Sequence, residues 1–263
     1  MIKDIILGQY FPGESVIHKI DARVKIVLTT ILMITLLVIE SYASFFVFAI
    51  LSFCAVFVSK IPIKYTLKGL KPIMLIIVFA AIVNIFFTPG TSAFSFKFIN
   101  ITFEGIHLAS KMALRLSLLV ITTSLLTLTT TPMALTDGIE RLFEPLKRIK
   151  VPVHEFAMMM TIALRFIPTL LEETDKIMKA QSSRGADFDT GNIIKRAKNF
   201  IPILVPLFVS AFRRADELAD AMNARCYRGG VGRTRMKELH ISTVDIIVCF
   251  IVIIFEILLI LMN

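Results

Sequence analysis

Two short stretches of the chain share an order of residues: Ala180-Gln181-Ser182-Ser183-Arg184-Gly185 and Ala221-Met222-Asn223-Ala224-Arg225-Cys226. Each sets an arginine after small residues at the end of a long helical pattern, in a polar part of an otherwise apolar chain. A guanidinium is a planar fork of five donors, so the chemistry it suits is the capture of carboxylates. A matched pair of arginines implies a matched pair of acidic acceptors. The competing explanation is simple capping. A cation at a helix C-terminus gains roughly 0.3–1 kcal/mol, and Gly185 is a natural helix stop. Capping accounts for one such arginine more readily than for two in the same setting.

The helices that carry them can be phased. At about 100° per residue, Leu170, Thr174, Ile177, Met178, Gln181 and Arg184 fall on one stripe, and Glu172, Glu173, Lys176 and Lys179 on the other side. In the second helix Leu218, Met222 and Arg225 form the equivalent stripe, with Glu217 and Asp220 off it. Each arginine thus extends an apolar packing face past its last turn. Other chemistry is missing from the sequence. It contains no Gly-rich phosphate loop, no Ser/His/Asp grouping and no nucleotide-binding signature. His18, His107, His154 and His240 are dispersed, which argues against a metal site. Cys54, Cys226 and Cys249 form no CxxC pair and read as small hydrophobes.

The elements that position the arginines are set by the solvent. Hydrophobic residues make up 56% of 263 positions, and Phe occurs 22 times. Mean hydropathy is +0.78, and a soluble domain of this size has no need of so much apolar surface. Near-spanning apolar runs lie at Val24–Ile39, Tyr42–Ser59, Ile73–Thr88, about Gly105–Thr130 and Val244–Met262. No signal peptide is expected, because the first run comes after a polar start with Asp4, Glu14 and Asp21. Lys3, Lys19, Arg23 and Lys25 cluster at or before the start of the first run, and Lys60, Lys64, Lys68 and Lys71 come after the second. The alternate loops are nearly bare, so the positive-inside rule puts the N-terminus in the cytoplasm and, with five spans, the C-terminus outside. The net charge of +9 then reflects cytoplasmic loops beside anionic lipid, and no nucleic-acid partner is expected. The outer loop Ala93–Phe103 alternates and reads either as a small hairpin or as a segment along the lipid interface.

The expected fold class is an all-α integral membrane protein with about five transmembrane helices, plus a cytoplasmic or interfacial helical coupling domain containing two long coupling helices. The expected division is 1–130 (four transmembrane helices), 131–242 (coupling domain) and 243–263 (a C-terminal transmembrane helix). Within the coupling block, Ile193–Phe212 is interrupted by Pro202 and Pro206 and begins with Lys195, Arg196 and Lys198; Val153–Leu171 contains Arg165 and Pro168. Such segments fit a helix lying on or near the membrane against other helices better than a span; if either crosses, the span count changes. His107, Lys111 and Arg115 share one face in the outer half of the fourth span, and Glu256 lies at a depth similar to Arg115. An Arg115–Glu256 pair is therefore expected to tie those spans together. Asn84 in the third span is expected to hydrogen-bond a neighbouring helix.

At this point the residues resemble a known family, the transmembrane T-components of energy-coupling factor (ECF) transporters, which includes the membrane subunits of cobalt uptake systems. The resemblance runs nearly end to end. It includes Tyr10-Phe11-Pro12-Gly13, Ser15 and His18–Lys25, then Leu164-Arg165-Phe166-Ile167-Pro168, Ala180–Asp187 and Ile201-Pro202-Ile203-Leu204-Val205-Pro206. It continues through Arg213–Ala219 and Ala224-Arg225-Cys226-Tyr227. Relatives often have Asp-Pro-Arg where this chain has Asp21-Ala22-Arg23. The resemblance implies a non-catalytic subunit that joins two ATP-binding-cassette ATPases of the EcfA type, paired as a heterodimer, to an integral-membrane substrate-binding S-component in the lipid bilayer. It implies that Ser183-Arg184-Gly185 and Ala224-Arg225-Cys226 each dock on one ATPase, that ATP is bound by those partners with no cofactor in this chain, and that the cargo is a vitamin or transition-metal ion.

Two other classes fit less well. A self-contained secondary transporter needs ionisable groups near the midplane and ideally an inverted repeat, and five unequal spans with an insertion of about 110 residues do not divide into halves. An interfacial enzyme needs convergent nucleophiles or metal ligands, and the dispersed histidines and apolar cysteines argue against it.

Overall fold

The computed structural model describes residues 10–96, 99–186, 188, 193–229 and 240–262. The elements are α1 (Val16–Lys19), α2 (Ala22–Val38), α3 (Tyr42–Val58), α4 (Ile63–Phe87), β1 (Ser92–Phe96), β2 (Ile99–Thr102) and α5 (Phe103–Thr129), then α6 (Pro132–Leu142), a 3-10 turn (Glu144–Ile149), α7 (Val153–Ser183), α8 (Ile193–Ala224) and α9 (Thr243–Met262). These elements divide into two compact units, one holding α1 to α6 with α9, the other holding the 3-10 turn, α7 and α8.

Among the described residues, α4, α5 and α9 are long and apolar enough to cross a membrane. The helices α2 and α3 have 17 residues each, a little under the roughly 20 that cross the hydrocarbon without tilt. The inside-out distribution of apolar residues fits a bilayer. On α4, Leu75, Phe79 and Phe87 are 77%, 65% and 81% exposed, which water would not tolerate in so long a row. α4 packs along α5, and Gly69 allows the approach, since a Cβ there would stand 2.6 Å from the Ser124 hydroxyl. The α4–α5 connection is the antiparallel hairpin β1–β2.

The core of this unit lies among α2, α3, α5 and α9, where Leu36, Ile39, Phe45, Phe48, Leu118 and Leu259 are buried together. α6, which the sequence division assigns to the coupling block, packs along α2; Gly138 lies against Ala22 and Ile26, where an added Cβ would have 3.2 Å of room.

One end of the bundle is held by polar contacts. Asp245, 1% exposed, sits in the first turn of α9 and accepts the Ser242 amide at 2.7 Å. This is the reciprocal half of a capping box. The same carboxylate accepts the Asp21 amide at 3.0 Å, and Asp21 is the N-cap of α2. One side chain thus satisfies amides at two helix starts more than 200 positions apart. Beside it, the buried Lys25 ammonium donates to the Thr129 carbonyl at 3.0 Å, to the Thr130 hydroxyl at 3.2 Å and to the His18 carbonyl at 3.3 Å. Those acceptors lie at the end of α5 and in α1, so Lys25 fastens α2 to both.

Asp245→Ala strands the buried Asp21 amide and uncaps the part-buried Ser242 amide, and the expected cost is about 2 kcal/mol. Thermal unfolding in detergent should show a clear drop for Asp245→Ala and a smaller one for Asp245→Asn, which keeps one acceptor. Equal melting of Asp245→Ala and the parent would mean that the bundle does not need this carboxylate.

Candidate functional site

The arginine motifs lie on α7 and α8, which belong to one unit and pack against each other. Both helices continue through prolines, Pro168 in α7 and Pro202 and Pro206 in α8. Each such proline removes one helical donor, so the pair depends on side-chain contacts for its alignment. On α8 the less exposed positions, among the residues whose burial is described, are Asn199, Ile203, Leu207, Ser210, Ala211, Arg214, Leu218 and Met222, a stripe at helical spacing. Glu173 of α7 receives the Ser210 hydroxyl at 2.8 Å and the Arg214 guanidinium at 2.6 Å. Phasing alone puts Glu173 on the outer side of α7. The structure turns it toward α8, because it lies at the edge of the stripe where a carboxylate can reach across. Those two donors, the hydroxyl first and the guanidinium second, hold its carboxyl below the ordinary carboxylate range.

Met158, Thr161 and Ile162 near the start of α7 share a cavity with Leu218, Met222 and Arg225 near the end of α8. Together with the Glu173 contacts, this makes the two helices antiparallel. The arginines therefore stand at opposite ends of the pair. Met158 and Arg184 are separated by about 26 residues of α7, so the two tips are on the order of 40 Å apart along the helix direction.

Both tips have the same backbone design. In the first, the Gly185 amide bonds the Ser182 carbonyl at 2.9 Å and the Ala186 amide bonds the Gln181 carbonyl at 3.0 Å. In the second, the Cys226 amide bonds the Asn223 carbonyl at 2.9 Å and the Tyr227 amide bonds the Met222 carbonyl at 3.0 Å. These are two Schellman caps in the same register. The arginine is the C-cap residue in each, and the next residue is left-handed: Gly185 at φ 87° and Cys226 at φ 56°. A non-glycine residue there costs about 1 kcal/mol. The caps satisfy the last carbonyls by backbone amides alone, so neither guanidinium is needed for capping. Arg184 and Arg225 are both exposed, as are Ser183, Gly185, Ala224 and Cys226. Asp187, which closes the first resembling stretch, lies outside the described residues.

The expected Arg115–Glu256 pair is not formed. Arg115 donates to the Ile39 carbonyl at 2.6 Å and lies over the Phe45 ring at 5.7 Å. It caps the end of α2, whose last carbonyls need a donor. Glu256 instead accepts the Thr35 hydroxyl. Equal depth on two helices did not make the groups neighbours, because α2 and α3 supply closer partners to each. The stripe His107, Lys111, Arg115 does share a face, turned to α3: Tyr42 stacks edge-on with His107 at 4.7 Å and takes the Lys111 ammonium at 5.4 Å. Asn84 donates to the Ala80 carbonyl of its own helix at 2.8 Å, so the expected bond to a neighbouring helix gives way to a local one. No group of three or more potential metal ligands occurs among the described residues.

Comparison with known proteins agrees with the architecture. A family profile described as CbiQ, cobalt transport protein, matches residues 13–238. The chain is 63% identical over 263 residues to the energy-coupling factor transporter transmembrane protein EcfT of Ruminiclostridium cellulolyticum, covering 100% of this chain and 98% of that protein. It is 55% identical over 249 residues to the protein of the same description from Clostridium kluyveri, covering 94% and 92%. The similarity to that of Lactococcus lactis is 42% over 263 residues, covering 100% and 99%.

The caps and the Glu173 brace can each be tested. An added Cβ at Gly185 meets nothing within 4 Å, so the expected cost of Gly185→Ala, about 1 kcal/mol, is conformational alone, and Cys226→Gly should firm the end of α8 by a similar amount. Amide exchange in the last turn of each helix reads both. Glu173 contributes stability above its unfolded pKa, which is lost as pH falls through the lowered folded value. Protection of the α7 and α8 amides, taken relative to the intrinsic exchange rate at each pH, should therefore fall as the solution is taken below the ordinary carboxylate range, and Glu173→Gln should flatten that response. A response unchanged by the substitution would assign it to another carboxyl.

Proposed function

Because the chain belongs to the CbiQ family of cobalt transport proteins, we propose that its two arginine tips are the docking points of two ATPase subunits. The chain is a transmembrane component of an energy-coupling factor transporter, a membrane subunit and not itself an enzyme. The finer reading gives it two ATP-binding-cassette ATPases, an S-component in the same bilayer, and no cofactor of its own, the ATP being held by the partners. The cargo class is a vitamin or a transition-metal ion, chosen by the S-component. The basic loops support a cytoplasmic N-terminus and a cytoplasmic α7–α8 unit, with the C-terminus outside.

One observation carries this reading. Two exposed guanidiniums stand on identical backbone caps at opposite ends of one antiparallel pair. A spacing on the order of 40 Å suits two separate folded partners better than one. Each Arg fork would bind a carboxylate on its ATPase. ATP-driven approach of the ATPases would then press on both ends of the pair, with the Glu173–Ser210–Arg214 contact between the ends as the natural pivot. Ser183, Gly185, Ala224 and Cys226 serve by being small or left-handed, leaving each guanidinium clear of the helix end.

Co-expression of the tagged chain with its transporter partners tests the docking. The parent should retain two ATPases through purification. Arg184→Glu with Arg225→Glu should release them or leave ATP hydrolysis uncoupled from uptake. Parental uptake and parental ATPase retention in the double variant would sink the assignment.

A further inference from the structure

In the membrane unit, α2 and α3 each pack on α5 and on α9, so the four helices surround a common centre. Away from Asp245 and Lys25 that centre is filled by Leu36, Ile39, Phe45, Phe48, Leu118 and Leu259. Toward Asp245 and Lys25 the same helix faces carry smaller groups. The inward stripe of α3 runs Phe45, Phe48, Ser52, Ala55, and that of α2 runs from Leu36 through Leu32 to Thr29. A cavity of about 280 Å³ stands where the large side chains give out. A smaller one of about 60 Å³ adjoins it, and Thr29, Leu32, Leu51, Ala55 and Leu125 line both. Val16 of α1, Cys54 and Val58 of α3 and Ile251 of α9 line the larger cavity and are exposed, so its mouth lies on that side. Lys25, Leu28 and Thr129, all buried, form the back.

The walls offer few polar atoms. The Lys25 ammonium already donates to three oxygens, and the Thr129 hydroxyl donates to the Leu125 carbonyl at 2.7 Å. No acidic residue lines the cavity among the described residues. Buried water needs several polar partners, which this lining lacks, and an empty void forfeits packing contacts with its walls. An apolar chain meets neither objection. The charge at the mouth identifies the head of that chain. Lys19 directly precedes the lining residue Ile20, and Lys60 comes two positions after Val58. Both are exposed, and neither ammonium has a hydrogen bond or ion pair among the described residues. We propose that this cavity binds one acyl chain of an anionic phospholipid, whose phosphate is held at the mouth by Lys19 and Lys60. The chain fills the part of the centre that Phe45 and Phe48 do not reach, and the two ammonium groups take the phosphate charge. The lipid thereby joins α1 to α3 and completes this end of the bundle.

The test uses the complete transporter in vesicles of mixed phosphatidylglycerol and phosphatidylcholine. A trace of one lipid or the other carries a photoreactive group midway along one chain, and labelled peptides are read by mass spectrometry. The phosphatidylglycerol probe should label the segments around Thr29 and Ala55 about tenfold more than the phosphatidylcholine probe does. Lys19→Glu with Lys60→Glu should remove that preference. Ala55→Phe, which fills the cavity, should remove the labelling itself. Both variants should leave labelling of the exposed apolar side of α4 unchanged. Equal labelling of the cavity segments by the two probes in the parent overturns the site, as does labelling that survives Ala55→Phe. Absence of labelling there from either probe also overturns it, because a protein partner then covers the mouth. Should Ala55→Phe melt below the parent, the lysine reversal decides alone, since both lysines are exposed.

Discussion

Glu173 accepts a hydroxyl and a guanidinium from α8, and the separation of the two arginines depends on that contact. Three prolines interrupt the donor rows of α7 and α8, so backbone bonding alone leaves both helices soft at those points. A charge-assisted clamp between the tips restores a fixed register. With the register fixed, Arg184 and Arg225 stand at opposite ends; without it, the tips would be two independent termini.

The membrane unit is held in the same way. Asp245 caps α9 and holds the Asp21 amide, while Lys25 reaches the end of α5. In an apolar surround, every helix terminus must find donors and acceptors inside the protein. The opposite end of α2 is met likewise by Arg115 at the Ile39 carbonyl. Asp245, Lys25 and Arg115 thus serve helix ends, while Glu256 takes the Thr35 hydroxyl on the side of α2. Arg115 and Glu256, although similar in depth, therefore each bond a different group of the α2 segment.

Much of the fold was legible because its signals are local. Runs such as Tyr42–Ser59 and Val244–Met262 are apolar nearly throughout, and the helices begin and end within a few residues of them. The stripe through Leu170, Thr174, Ile177 and Met178 was visible in its period, and those residues are partly buried in the structure. Glu173 was not, since a residue at the edge of a stripe can turn either way until its partner is known. Ser210 and Arg214 were missed as well, although their spacing of four on the α8 stripe was a usable signal. Asn84 failed for a related reason: an amide in a helix can always fall back on the carbonyl four residues earlier.

The sequence by itself determined the solvent, the helices and the two matched stops, because composition, apolar runs and the small residues around Arg184 and Arg225 act over one or two turns. It could not determine which ends meet. The antiparallel pairing of α7 with α8, the cavity beside Arg225 and the sharing of Asp245 between α2 and α9 were decided by the folded chain, through residues tens to hundreds of positions apart. Only the tertiary structure brings those residues within hydrogen-bond or packing distance, and at that range geometry, not residue type, chooses the partner.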